Sequence, residues 1–188
     1  IPMMPVFAVD ILKVGADGQG VMMGVGGVGA FAITLILGRI PNLRHRGMMI
    51  VLGSAVFGLA LALLAVTSKE LGNYPLAVLL MFVMGAFSSV YMISIMSSLQ
   101  LMVPDHMRGR VMGFYGMTWS IMPLGAMYTG ALAKVFADGG EGVPIAVAIG
   151  GILLSVFAIG PVLMSKKIRN LDAIIEQRRN IGESPAMV

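Results

Sequence analysis

Of 188 residues, 57% are apolar and only 12% charged, too little polar surface to cover a water-soluble globule of this size. The 13 lysines and arginines outnumber nine acids and give a net charge of +4, but they sit at the ends of apolar runs without interleaved aromatics, the wrong distribution for a nucleic-acid interface. No cysteine is present, which removes disulfides, thiol catalysis and thiolate metal sites and leaves the compartment open.

The apolar runs reach about twenty residues or more, enough for a helix to cross roughly 30 Å of hydrocarbon, and the alternating strands of a barrel are absent. The expected class is therefore all-α, a polytopic bundle of membrane helices. In chain order, Ile1–Leu12 is apolar but too short to span. It has neither an initiator Met nor the basic start of a signal peptide, and reads as the end of a truncated helix whose remainder lies upstream. Full spans follow at Gly18–Gly38, Met48–Thr67, Pro75–Leu101, Val111–Phe136 and Val143–Ser165.

Within the first span, "GVGGVG" (Gly24–Gly29) matches the dinucleotide-binding pattern letter for letter. That motif needs a preceding strand, a βαβ unit and an acid about twenty residues on, and none is there. Gly20, Gly24 and Gly27 share one helix face, where they predict close approach of another backbone. Met48–Thr67 and Val143–Ser165 are almost purely apolar, with Ser54 and Ser155 as their interior hydroxyls, and read as supports facing lipid.

Pro75–Leu101 and Val111–Phe136 carry the polar groups: Ser88, Ser89, Tyr91, Ser94, Ser97, Ser98 and Gln100 on one, Tyr115, Thr118, Trp119, Ser120, Tyr128 and Thr129 on the other. These helices must face protein or water. On the second, Tyr115, Thr118, Trp119, Met122 and Thr129 fall within an arc of about 100° at helical spacing, a stripe suited either to an amphipathic solute or to packing on a neighbour. Pro123 frees a backbone carbonyl and predicts a kink. The tail from Lys166 to Val188 places Ile168, Leu171, Ile174 and Ile175 on one face with basic residues around them, as a helix lying on a membrane surface does.

Ten of the 13 basic residues fall on one side of the spans: Arg39, Arg44, Arg46, Arg108, Arg110 and five in the tail. By the positive-inside rule that side is cytoplasmic. His45 and His106 each sit alone in a basic loop, without the partners a metal site needs. No charge lies deep in a complete span, where one would mark an ion pathway; Asp10 and Asp17 lie near outer ends. With no dyad or metal constellation within the spans, no enzymatic role and no cofactor is expected.

"VPDHMRGRVMGFYG" (Val103–Gly116) is similar to the short cytoplasmic loop between the fourth and fifth helices of each half in major facilitator superfamily transporters, especially bacterial multidrug and siderophore exporters of the enterobactin-exporter type. "LGRIPNLRHRG" (Leu37–Gly47) resembles a worn copy of the superfamily's Gly-x-x-x-Asp-Arg-x-Gly-Arg-Arg loop. Gly38 and Arg46 fit the pattern, whereas Asn42 stands for its Asp and Leu43 for its first Arg. "PVFAVDILKVGADGQG" (Pro5–Gly20) resembles the end of helix seven and the start of helix eight.

The resemblance implies the carboxy-terminal six-helix half of a twelve-helix secondary transporter, residues 1–165, followed by a cytoplasmic tail, 166–188. Its partners would be the bilayer, an amino-terminal six-helix half and a small-molecule solute. The expected function is ion-gradient-driven export of small organic or amphipathic solutes by alternating access. The alternative is a membrane scaffold that keeps the fold without transporting. Candidate cavity residues are Ser88, Tyr91, Ser94, Ser98, Tyr115, Thr118, Trp119 and Met122. Candidate gate residues at the cytoplasmic ends are Gly38, Arg39, Arg46, Asp105, Arg108, Gly109 and Arg110.

Overall fold

Hydrocarbon offers no water to backbone N–H and C=O groups, so an apolar segment that crosses it satisfies them within itself as a helix. The structure, a computed structural model, describes residues 5–40, 46–70, 72–136 and 142–164. Among these there is no strand. A π-helical turn, Val6–Ile11, leads through Lys13 (φ 53°) and Gly15 (φ 67°) into α1, Gly15–Gly38. Then come α2 (Arg46–Glu70), α3 (Tyr74–Met102), α4 (Asp105–Met117), a 3₁₀ turn (Thr118–Ile121), α5 (Met122–Phe136) and α6 (Gly142–Met164). Helices α1, α2, α3 and α6 are long and apolar enough to cross a membrane. Residues 1–4, most of the Arg39–Gly47 loop and the whole 166–188 tail lie outside the described residues.

Local chemistry explains the ends. Asn73 caps α3, its side-chain oxygen accepting from the Leu76 N–H at 3.3 Å, with Pro75 in the first turn where a missing donor is harmless. Only Val103 and Pro104 separate α3 from α4, so the charged island is itself the opening of a helix. The segment expected as one span over Val111–Phe136 is instead jointed. Pro123 has no N–H to give the Trp119 carbonyl, and that carbonyl accepts from Met122 three residues on. The Thr118 hydroxyl donates to the Tyr115 carbonyl at 2.6 Å, and the turn tightens to 3₁₀ rather than simply bending.

The helices pack in the spatial order α1, α3, α2, α6, α5. The first two run parallel: the Tyr74 hydroxyl donates to the Gly18 carbonyl at 3.2 Å, and further along Gly26 and Gly29 lie against the backbone of Met81, Phe82 and Gly85. Antiparallel to α3, α2 brings Gly53 onto Tyr91 and Phe87. It also runs antiparallel to α6, where Gly58 faces Gly151 and the Ser155 hydroxyl donates across to the Ala55 carbonyl at 3.1 Å. Small residues let these backbones touch, and dispersion and polar contacts then hold them, because lipid outside is as apolar as the side chains within. One core cluster joins Leu12, Met22, Ala60, Leu64, Ala77, Met81 and Met84; a second joins Phe7, Ala65, Ala133, Val143 and Ala146 at the far ends of α2 and α5.

One expectation is corrected. Gly20, Gly24 and Gly27 form an open face with nothing near enough to meet an added Cβ. The close approach uses the opposite face of α1, where Gly18, Gly26 and Gly29 are buried with Met22 and Leu37. Two glycine rows run along this helix, and only the row that carries large side chains beside it can both admit a backbone and fill the space around it.

Candidate functional site

The site begins at the end of the bundle where α1 and α3 finish and α2 and α4 start. Arg39, Arg108 and Arg110 are exposed there, Arg46 is partly so, and Gly38 and Gly109 border open space. Asp105 is the first residue of α4. Asn42, Leu43, Arg44 and His45 lie outside the described residues. Across the two-residue turn, the Arg108 guanidinium donates through Nη2 to the Gln100 carbonyl at 3.3 Å. That carbonyl is among the last four of α3, which have no intrahelical donor and carry the negative end of the helix dipole. The island thus ties α4 to the end of α3 within this chain, a contact that sequence spacing alone did not reveal.

Further into the bundle, Tyr91 is held by α2: Gly53 lies against its backbone and Cβ, and its ring meets Phe57 edge-on with centroids 6.0 Å apart. Tyr115 lies on α4 and is partly buried. Thr118 and Trp119 occupy the 3₁₀ turn and Met122 follows it; all three are exposed, Trp119 to 54%. Ser88 bonds back to the Gly85 carbonyl at 2.8 Å, its hydroxyl used locally.

Ser94 and Ser98 stand apart from this set. They are 0% and 6% exposed, enclosed between helices rather than presented on the open face with Trp119. In this structure a solute at that open face does not reach them, because both are buried.

Sequence spacing also understated the breadth of the exposed surface. Phe114, Met117, Met127 and Tyr128 are exposed around the same jointed segment. A 3₁₀ turn advances about 120° per residue rather than 100°, so a stripe drawn at constant helical pitch loses phase on passing it. The proline was the available signal, and it indicated a break without its pitch. No charged side chain of α5 lies near this face until Lys134 in the last turn. The described residues hold no group of three or more His, Cys, Asp or Glu that would ligate a metal. What the arrangement offers is a broad neutral surface of aromatic, thioether and hydroxyl groups.

Comparison with known proteins places these features in a family. The family profile described as Major Facilitator Superfamily matches residues 1–180. No curated protein and no solved structure matches the chain significantly. A match over nearly the whole chain, on an all-helical fold with membrane-length apolar helices, identifies a multi-pass membrane protein of the transporter class rather than an enzyme family: the chain belongs to the major facilitator superfamily.

Proposed function

We propose that this chain is the carboxy-terminal half of an ion-gradient-driven exporter of small organic or amphipathic solutes in the cell membrane. It works by alternating access with an amino-terminal six-helix half, the solute binding near the midplane between them. The observation that carries this reading is the exposed surface of the jointed α4–α5 segment, with Trp119, Met122, Thr118 and Tyr115 on or beside it. An indole and thioethers give large, polarizable contact area, hydroxyls give a few oriented hydrogen bonds, and the lack of fixed charge favours neutral or amphipathic solutes over small ions. Tyr91 and Ser88 of α3 are the further candidates for lining the cavity. Ser94 and Ser98 take no part, being buried. The basic end faces the cytoplasm, with the 166–188 tail on the inner leaflet.

The test is transport by the complete two-half protein. Trp119→Ala is expected to raise the KM for solute about tenfold or to change the solute spectrum, with protein level and thermal stability held. This matches the loss of roughly 1–2 kcal/mol of aromatic contact. Unchanged kinetics for every transported solute would remove Trp119 from the cavity and leave the surface as packing against the other half.

A further inference from the structure

The segment that carries Trp119 is weakened at its middle. Pro123 leaves the Trp119 carbonyl without a donor four residues on, and Met122 supplies one from three residues on. In a continuous α-helix the Tyr115 carbonyl is reached by the Trp119 N–H; here the Thr118 N–H and the Thr118 hydroxyl both turn to it, the hydroxyl at 2.6 Å. A carbonyl that a side chain also holds stays satisfied when a backbone bond lengthens, and a break in a membrane helix depends on such substitutes. Gly116 and Gly125 flank the turn, and a Cβ on either would meet nothing. No close approach within this bundle accounts for them, and both weaken the helix beside the joint.

The two ends are held differently from the middle. Ala133, in the last turn of α5, is buried with Phe7, Ala65, Val143 and Ala146 in the second core cluster, and α5 packs on α6. At the other end Arg108 ties the first turn of α4 to the Gln100 carbonyl by an exposed bond of 3.3 Å, which water can replace. Between these points, from His106 to Leu132, no described residue is buried in this bundle. Packing therefore fixes the far end of α5 and leaves the angle at the turn to the backbone. Helix α4 has 13 residues, about 20 Å at α-helical rise, so a change of about 20°, an ordinary kink, carries its first turn sideways by about 7 Å.

We propose that the 3₁₀ turn Thr118–Ile121 is a hinge: α5 stays on α6 while α4 swings about the turn between a bent and a straighter form. Trp119 lies in the turn itself and Arg108 on the swinging arm, so the hinge links the solute surface to the basic end of the bundle. That use of the motion rests on the proposed transport function. The motion itself is internal to this chain, and rocking of two rigid halves would not produce it.

The test is distance measurement between spin-labelled cysteines in the complete two-half protein, its other cysteines replaced, in lipid nanodiscs. Gly109→Cys with Ile159→Cys sets α4 against α6, and Lys134→Cys with Ile159→Cys sets the far end of α5 against the same reference; all three positions are open or exposed. The first pair is expected to show two maxima at least about 4 Å apart, and the second a single one. Pro123→Ala returns an N–H to the Trp119 carbonyl and should merge the two maxima into one. Thr118→Val, read as well in case Pro123→Ala does not fold, should shift their populations by about threefold or more, while Thr118→Ser, which keeps the hydroxyl, should not. A single maximum for the first pair, wherever Pro123→Ala moves it, would make the turn a fixed bend and overturn the proposal. Equal broadening of both pairs, or populations indifferent to both Pro123→Ala and Thr118→Val, would overturn it too. No solute is added and both labels lie in this chain, so the outcome is independent of the Trp119→Ala transport test.

Discussion

At Arg108, a proposed gate residue, a contribution to stability and one to conformational balance can be told apart by experiment. Its bond to the Gln100 carbonyl is exposed and long at 3.3 Å, so solvent screens it and it contributes less than about 1 kcal/mol to folding. Its leverage is positional. Only Val103 and Pro104 lie between the helices, so a bond across that turn bears on the angle at which α4 leaves α3. Arg108→Ala should leave thermal stability within about 1 kcal/mol of wild type. It should change the inward-open to outward-open ratio of the complete transporter, read as altered maleimide labelling of Thr118→Cys from each side. Equal labelling in both backgrounds would reduce Arg108 to an interface anchor. Arg108→Lys keeps the charge but loses the planar fork, and an intermediate result there would separate hydrogen-bond geometry from charge.

Among the helices, glycine position rather than glycine content decides packing. A Cβ on Gly85 would run into the Gly26 backbone carbonyl, whereas one on Gly24 meets nothing. Gly85→Ala should therefore destabilise the bundle by about 1–3 kcal/mol through overpacking. Gly24→Ala should be neutral or stabilising by up to about 1 kcal/mol, because alanine restricts the unfolded chain. Thermal unfolding of both variants in one detergent checks the contrast, and equal costs would mean that α1 presents its other face to α3. Helix existence was legible in α1, α2, α3 and α6 because bilayer thickness imposes a length that composition alone reveals. Which row of glycines met a partner was not, since Gly24–Gly29 contains members of both rows and periodicity places rows without ranking them. The jointed segment was legible as a proline and illegible as a 3₁₀ turn, because the Thr118 and Trp119 backbone bonds depend on local competition. The candidate site divides for a similar reason. Trp119 and Met122 sit on an exposed segment, while Ser94 and Ser98 are buried on α3, and a hydroxyl in a sequence does not say which neighbour it meets.

For the whole molecule, the alternation of helix directions fixes which loops share a side. Gly109, in the first turns of α4, lies at the same end as Arg39 and Arg46, whereas Asp17, in the first turn of α1, lies one membrane-length helix away. Arg39, Arg46, Arg108 and Arg110 crowd the first end, and near the second the described basic residues are Lys13, Lys69 and Lys134. Moving arginine across a membrane that is negative inside is unfavourable both at insertion and at the anionic inner leaflet, so the first end should face the cytoplasm. The chain has no cysteine of its own, so a single cysteine introduced into it adds the one thiol of this segment. Gly109 borders open space and Asp17 is exposed, so a cysteine at either should fold and remain accessible. In intact cells, an impermeant maleimide should label Asp17→Cys and spare Gly109→Cys until the membrane is permeabilised. Labelling of Gly109→Cys from outside would invert the bundle. It would put Arg108 and its hold on α3 at the outer surface, and the solute face of the jointed segment would then open in the opposite sense during export.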